Sequence, residues 1–202
     1  MPLPPPHVDD FVHLVERPRC RGLAGDRGPK YNLHVPDLDQ AVRPPLWTVL
    51  RTRGRTQPDS ILQTFGIKTP PVDVFGIARR LGVTVRHVDQ PGWAGAVQSR
   101  GSNAVIWVKV ADSVVRRRFT LAHELGHLLL HDTQGTAFRD NNRFSGGPEE
   151  RDANSFAGQL LVPLWMLEPL VLGLGSNITG LARIFRVSES VMRIRLATLD
   201  AT

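Results

Sequence analysis

The segment Arg118-Phe119-Thr120-Leu121-Ala122-His123-Glu124-Leu125-Gly126-His127-Leu128-Leu129-Leu130-His131 constrains the fold more than any other part of the chain. It is apolar enough to be a buried helix, yet it holds three histidines and a glutamate. Burying such groups without partners is costly, so the segment needs either a set of hydrogen bonds or a metal ion to satisfy them. His123 and His127 are four residues apart. On a helix that separation is about 40° around the axis and about 6 Å along it. Both imidazoles can therefore reach one ion at the ~2.0–2.1 Å expected for zinc–nitrogen bonds. Glu124 then stands beside the ion without binding it, where a carboxylate can take a proton from activated water. Gly126 keeps bulk off the helix near the site.

A catalytic zinc usually takes three protein ligands. His131 lies about 12 Å along the helix axis from His123, too far for three imidazoles on one straight helix to converge well. The longer pattern H-E-x-x-H-x-x-G-x-x-H also fails, because Leu130 and Thr133 occupy its later Gly and His positions. His131 therefore reads as a support for a ligand or an anchor for the following loop. A better third ligand comes from the next helix, opened by Pro148 at its first turn. There Ala153, Phe156, Ala157, Leu160 and Leu161 recur at helical spacing and form one apolar face. Glu149 and Glu150 precede Ala153 by four and three residues, so both can face the core. Glutamates in a first turn also favour the helix dipole, and spacing leaves both open as ligands.

Around these helices the pattern is that of a mixed α and β chain. Pro71-Val72-Asp73 opens a helix through Arg80, and Gly82 stops it. Val83–Val88 alternates and is rich in β-branched residues, so it reads as a strand. Ala94–Ser99 and Ala104–Val110 are two more strands, joined by Gly101-Ser102-Asn103 as an antiparallel hairpin. A peptide could add to the edge of either strand. Asp112 or Ser113 caps the histidine-bearing helix. Asp132–Gly147 reads as a loop, and two short helices, about Ile178–Phe185 and Ser188–Leu199, end the pattern. Ten of the sixteen prolines fall between Pro2 and Pro58. Residues 1–60 thus read as a Pro/Arg-rich, poorly ordered extension, with short apolar pieces such as Leu46–Leu50 able to dock on a body of residues 61–202.

Composition narrows the setting. The formal charge of +6 comes almost wholly from arginine, since Lys30, Lys68 and Lys109 are the only lysines. Cys20 has no partner for an intrachain disulfide, which fits a reducing compartment. The N-terminus lacks a signal-peptide pattern. The most apolar stretch, Leu160–Gly175, is short and broken by Pro163, Glu168 and Pro169, so no membrane span is expected. The expected location is the cytoplasm.

Two linked stretches, Arg118–His131 and Glu150-Arg151-Asp152-Ala153-Asn154-Ser155-Phe156-Ala157-Gly158-Gln159-Leu160-Leu161-Val162-Pro163, resemble the ImmA/IrrE-type metallopeptidases. The likeness runs from about Thr69 to Leu199, roughly two thirds of the chain. It implies a zincin-like α+β body: a small antiparallel sheet packed on two metal-binding helices, with a short C-terminal helical part over about 176–199. It implies Zn2+ held by His123, His127 and Glu150, since the family's third ligand is the Glu three before the Ala of E-x-x-A-[ND]-x-F-A. It further implies an endopeptidase with Glu124 as general base, acting on helix-turn-helix repressors in phage, mobile-element or stress regulation. The competing reading is a DNA-binding or antitoxin-like regulator that binds zinc without proteolysis. Its DNA-binding form rests on Leu181-Ala182, Val187-Ser188 and Met192–Leu196, which have a helix-turn-helix rhythm, with Arg183, Arg186, Arg193 and Arg195 nearby. Two small helices packed on the body explain the same residues.

Overall fold

A computed structural model describes residues 44–89, 95–133, 138–140 and 147–201. Residues 1–43, which include Cys20 and Tyr31, lie outside the described residues. Three helices come first: α1 (Leu46–Thr52), α2 (Pro58–Thr64) and α3 (Val74–Leu81). Strands β1 (Thr84–Val88), β2 (Gly95–Arg100) and β3 (Asn103–Lys109) follow, then the long helix α4 (Val114–Leu130). After a short strand β4 (Phe138–Asp140) come α5 (Pro148–Leu161), α6 (Leu164–Leu174), α7 (Ile178–Phe185) and α8 (Glu189–Leu199).

Local chemistry fixes many of these boundaries. Asp73 caps α3 by accepting the Gly76 N–H at 3.0 Å, and Gly82 ends it in the left-handed region at φ 80°. Of the two candidate caps for α4, Ser113 is the one used, its Oγ accepting the Arg116 N–H at 3.2 Å. Asn177 and Ser188 cap α7 and α8 in the same manner. Gly101, at φ 57°, opens the two-residue turn between β2 and β3. Glycine takes that left-handed angle at little cost, which makes it a favoured first residue in such hairpins.

Three expectations change in the structure. First, the sheet is mixed, not wholly antiparallel. Its order is β1-β3-β2-β4, with β1 parallel to β3 and the remaining pairs antiparallel. β3 lies between β1 and β2, and β2 lies between β3 and β4, so both hairpin strands are interior. Second, neither hairpin strand offers the open edge expected for a peptide. β3 is paired on both sides, β4 covers Gly95–Val97 of β2, and the Ser99 N–H donates to the Thr133 carbonyl at 3.1 Å. Third, among the described residues the body includes the stretch before residue 61. Trp47 and Leu50 of α1 are 2% and 3% exposed and belong to the main core, and Pro44–Thr202 forms one compact unit.

The stretch Leu164–Leu174 is also helical despite Pro169, and it meets α5 at a 54° bend. No single described helix is long and apolar enough to cross a membrane.

Helix α4 lies at the centre of the body. One side packs on β2 and β3 through Val97, Ala104, Ile106 and Val108, all buried. Another packs along α5. Its buried Arg118 reaches across to the carbonyls of Val72 (2.9 Å), Arg186 (3.1 Å) and Phe185 (3.4 Å). That side chain ties α4 to the lead of α3 and the end of α7. Burial, and then Arg186, push its pKa down, but a guanidinium remains charged at any physiological pH. Arg118→Met should cost about 2–3 kcal/mol in urea unfolding, because it leaves buried carbonyls without donors.

Candidate metal centre

The site depends on how closely α5 approaches α4. A Cβ at Gly126 would lie 3.1 Å from Ala153 Cα and 3.2 Å from Phe156 Cβ. Those distances are tighter than ordinary packing, so glycine at 126 permits the helix contact. Ala153 is fully buried there. One turn back along α5, Glu150 then meets the two imidazoles.

Among the described residues, His123, His127 and Glu150 form the group of three whose donor atoms all lie within 4.8 Å of one another. His123 Nε2 and His127 Nε2 are 3.0 Å apart. Glu150 Oε2 lies 3.2 Å from His123 Nε2, and Glu150 Oε1 lies 3.4 Å from His127 Nε2. Ligands ~2.0–2.1 Å from a tetrahedral ion stand about 3.3 Å apart. The three donors have that spacing without further movement, and two imidazoles with one carboxylate are a donor set that suits zinc. Glu149, the other glutamate left open by spacing, is exposed and takes no part.

The outer ring nitrogens show how the inner ones are presented. His123 Nδ1 lies 3.0 Å from Asn154 Oδ1. An amide oxygen only accepts, so Nδ1 carries the proton and Nε2 turns a lone pair inward. His127 Nδ1 lies 3.1 Å from His131 Nδ1, and His131 Nε2 lies 3.7 Å from Asp152 Oδ2. In the tautomer where His127 Nδ1 donates to His131, its Nε2 likewise carries no proton. Burial, followed by the proximity of His123 and His131, holds the His127 pKa down to about 3. The ring is therefore in its neutral, ligand-competent form at physiological pH.

His131 thus contacts His127 and lies outside the group of three donors. Asn154 and Asp152 were not singled out from the sequence. The signal for Asn154 was present, since it stands four residues after Glu150 and so on the same face of α5. Glu124 is 1% exposed and lies on the side of α4 that meets β2.

The two C-terminal helices form as expected, but their basic residues are only partly available. Arg195 is buried and donates to the Val162 carbonyl at 2.9 Å, and Arg193 pairs with Glu189 at 3.5 Å. Arg195 therefore joins α8 to the end of α5, which favours packing on the body over duplex binding.

The IrrE N-terminal-like domain, a peptidase family, matches residues 78–197. The chain belongs to that family. An uncharacterized immunity region protein 2 of Bacillus phage phi105 is 42% identical over 52 residues, covering 25% of this chain and 33% of the phage protein. A Mycobacterium tuberculosis transcriptional regulator shares the fold with a TM-score of 0.53 at 20% identity, over 75% of this chain and 50% of that one. The chain thus spans about a third of the phage relative and half of the mycobacterial one.

Family members carry a metallopeptidase-like site, and the His-His-Glu group supplies donors for one ion. If Asn154 orients His123, Asn154→Leu should weaken zinc affinity ~10–100-fold in chelator competition. Glu150→Ala should weaken it further, and Glu149→Ala should leave it unchanged.

Proposed function

We propose that this chain is a zinc-dependent endopeptidase of a reducing cytoplasm that cleaves a helix-turn-helix transcriptional repressor. The observation that carries the reading is the 3.0–3.4 Å spacing of three donors from two helices. Membership of a peptidase family supports hydrolysis of a peptide bond. Likeness to a phage immunity region protein supports a repressor as the substrate class, in phage, mobile-element or stress regulation.

In this reading His123, His127 and Glu150 hold the zinc, with Asn154 and His131 keeping the two rings in the ligating tautomer. Bound there, the ion would supply Lewis acidity and lower the pKa of water towards about 7. Glu124 is the general base. It accepts the proton of the water that attacks the peptide carbonyl, and later returns that proton to the leaving amine nitrogen. Its burial beside the ligands keeps bulk water from competing for the carboxylate.

The decisive pair of variants is Glu124→Gln and His123→Ala, tested on purified helix-turn-helix repressors. Glu124→Gln should keep stoichiometric zinc and slow cleavage ~10²–10⁴-fold, whereas His123→Ala should lose both. Chelation should abolish cleavage and added zinc restore it. Stoichiometric zinc without cleavage by the unaltered protein would instead support a non-proteolytic regulator, and full cleavage by Glu124→Gln would remove Glu124 as the base.

A further inference from the structure

Strand β2 comes closest to α4 at Gly95. A Cβ there would lie 2.4 Å from Thr120 Cγ2, 2.8 Å from Glu124 Oε1 and 3.3 Å from Glu124 Cγ. Ordinary contacts begin near 3.4 Å, and real Cβ atoms essentially never come within 3.0 Å. Even a methyl group has no space. Thr120 and Glu124 are one helical turn apart, so a single strand residue covers both. They are 5% and 1% exposed. The strand cannot back away freely, because Gly95 is paired with Val108 on one side and with Asp140 on the other.

We propose that Gly95 is a positioning residue for the general base. Its missing side chain lets the β2 backbone lie against the Glu124 carboxylate, which keeps that carboxylate buried and fixed relative to the histidines on either side of it in sequence. The inference rests on Glu124 being the base, and it adds a reason for glycine at a point where the sequence shows only the start of a strand. An alanine at 95 must move Glu124 Oε1 by at least about 0.6 Å to restore an ordinary contact. Otherwise it must lift β2. The metal donors face α5 and not β2, so zinc affinity should not respond. A misplacement approaching 1 Å costs up to ~100-fold in rate, and a tenfold loss or more is expected here.

The test uses the zinc-loaded full chain. Gly95→Ala alone can destabilise the fold through Thr120, so Thr120→Ser is combined with it to remove Cγ2 and leave the Glu124 contact. Gly95→Ala/Thr120→Ser should match the thermal midpoint and zinc affinity of Thr120→Ser alone. Its crystal structure should show the Glu124 carboxylate displaced, and its cleavage of the same helix-turn-helix repressor should fall at least ~tenfold. Adding Gly95→Ala to Glu124→Gln should cause no further loss, as expected of two changes acting through one group. The proposal is overturned if the carboxylate keeps its place in the double variant, if that variant cleaves at the unaltered rate, or if Gly95→Ala slows Glu124→Gln further. Should Glu124→Gln itself cleave normally, the assignment of the base fails, while the crystal structure still decides whether Gly95 positions the carboxylate.

Discussion

The contact between α4 and α5 at Gly126 and Ala153 sets the geometry on which the site depends. A helix can present two histidines to one ion by itself, because a four-residue step returns nearly to the same face. It cannot supply a third donor from the same straight run. That donor must come from a neighbour close enough for a glutamate to reach two ring nitrogens at 3.2 and 3.4 Å. A side chain at 126 would press on Ala153 and Phe156, and the helices would separate by some fraction of an ångström. Interiors are packed too densely to absorb such a change nearby, so the separation would appear at Glu150. The small residues in the H-E-L-G-H and E-x-x-A motifs are in this sense part of the metal site.

The electrostatics follow from that packing. His123, His127 and Glu124 are each less than 5% exposed, in a helix otherwise lined with leucine. Burial holds His127 neutral, which suits a metal ligand and suits an isolated ion pair poorly. Two bare ring nitrogens 3.0 Å apart repel one another unless a proton or a cation lies between them. The partners of the outer nitrogens, Asn154 for one ring and His131 for the other, allow both ring protons to face outward. What remains at the centre is a cluster of lone pairs and negative charge, and a divalent cation is the partner that satisfies all of it.

Much of this was legible in the sequence because it depends on local periodicity. The four-residue histidine spacing, the apolar stripe on α5 and the caps at Asp73, Ser113, Asn177 and Ser188 need only a few neighbouring residues. What was not legible depends on long-range pairing. The residues of β1 and β3 are compatible with either parallel or antiparallel contact, and only the position of the whole hairpin decides between them. β4 was read as loop because three residues carry no measurable alternation. Leu46–Leu50 looked like a docking fragment because a seven-residue helix is marginal alone, and its two buried side chains acquire meaning only beside the core. The choice between Glu149 and Glu150 had the same character. Adjacent residues in a first turn differ by about 100° around the axis, and the position of the neighbouring helix determines which of them faces inward.

The same angular argument relates Glu124 to the candidate metal donors. On an ideal helix, taking Glu124 as the origin, His127 lies about 60° to one side, His123 about 100° and Gly126 about 160° in the same sense. The order around α4 therefore runs from the sheet, through the two ligands, to α5. Glycine stands at both boundaries of that arc: Gly95 where β2 meets Glu124, and Gly126 where α4 meets α5. The sheet packs on the carboxylate and the second helix packs on the donors, and the proposed reaction needs both at a set distance from one another. Because the two contacts fall on different sides of one rigid helix, each can be disturbed without the other. Loss of turnover with the metal retained, and loss of the metal itself, are consequently separable failures of this fold.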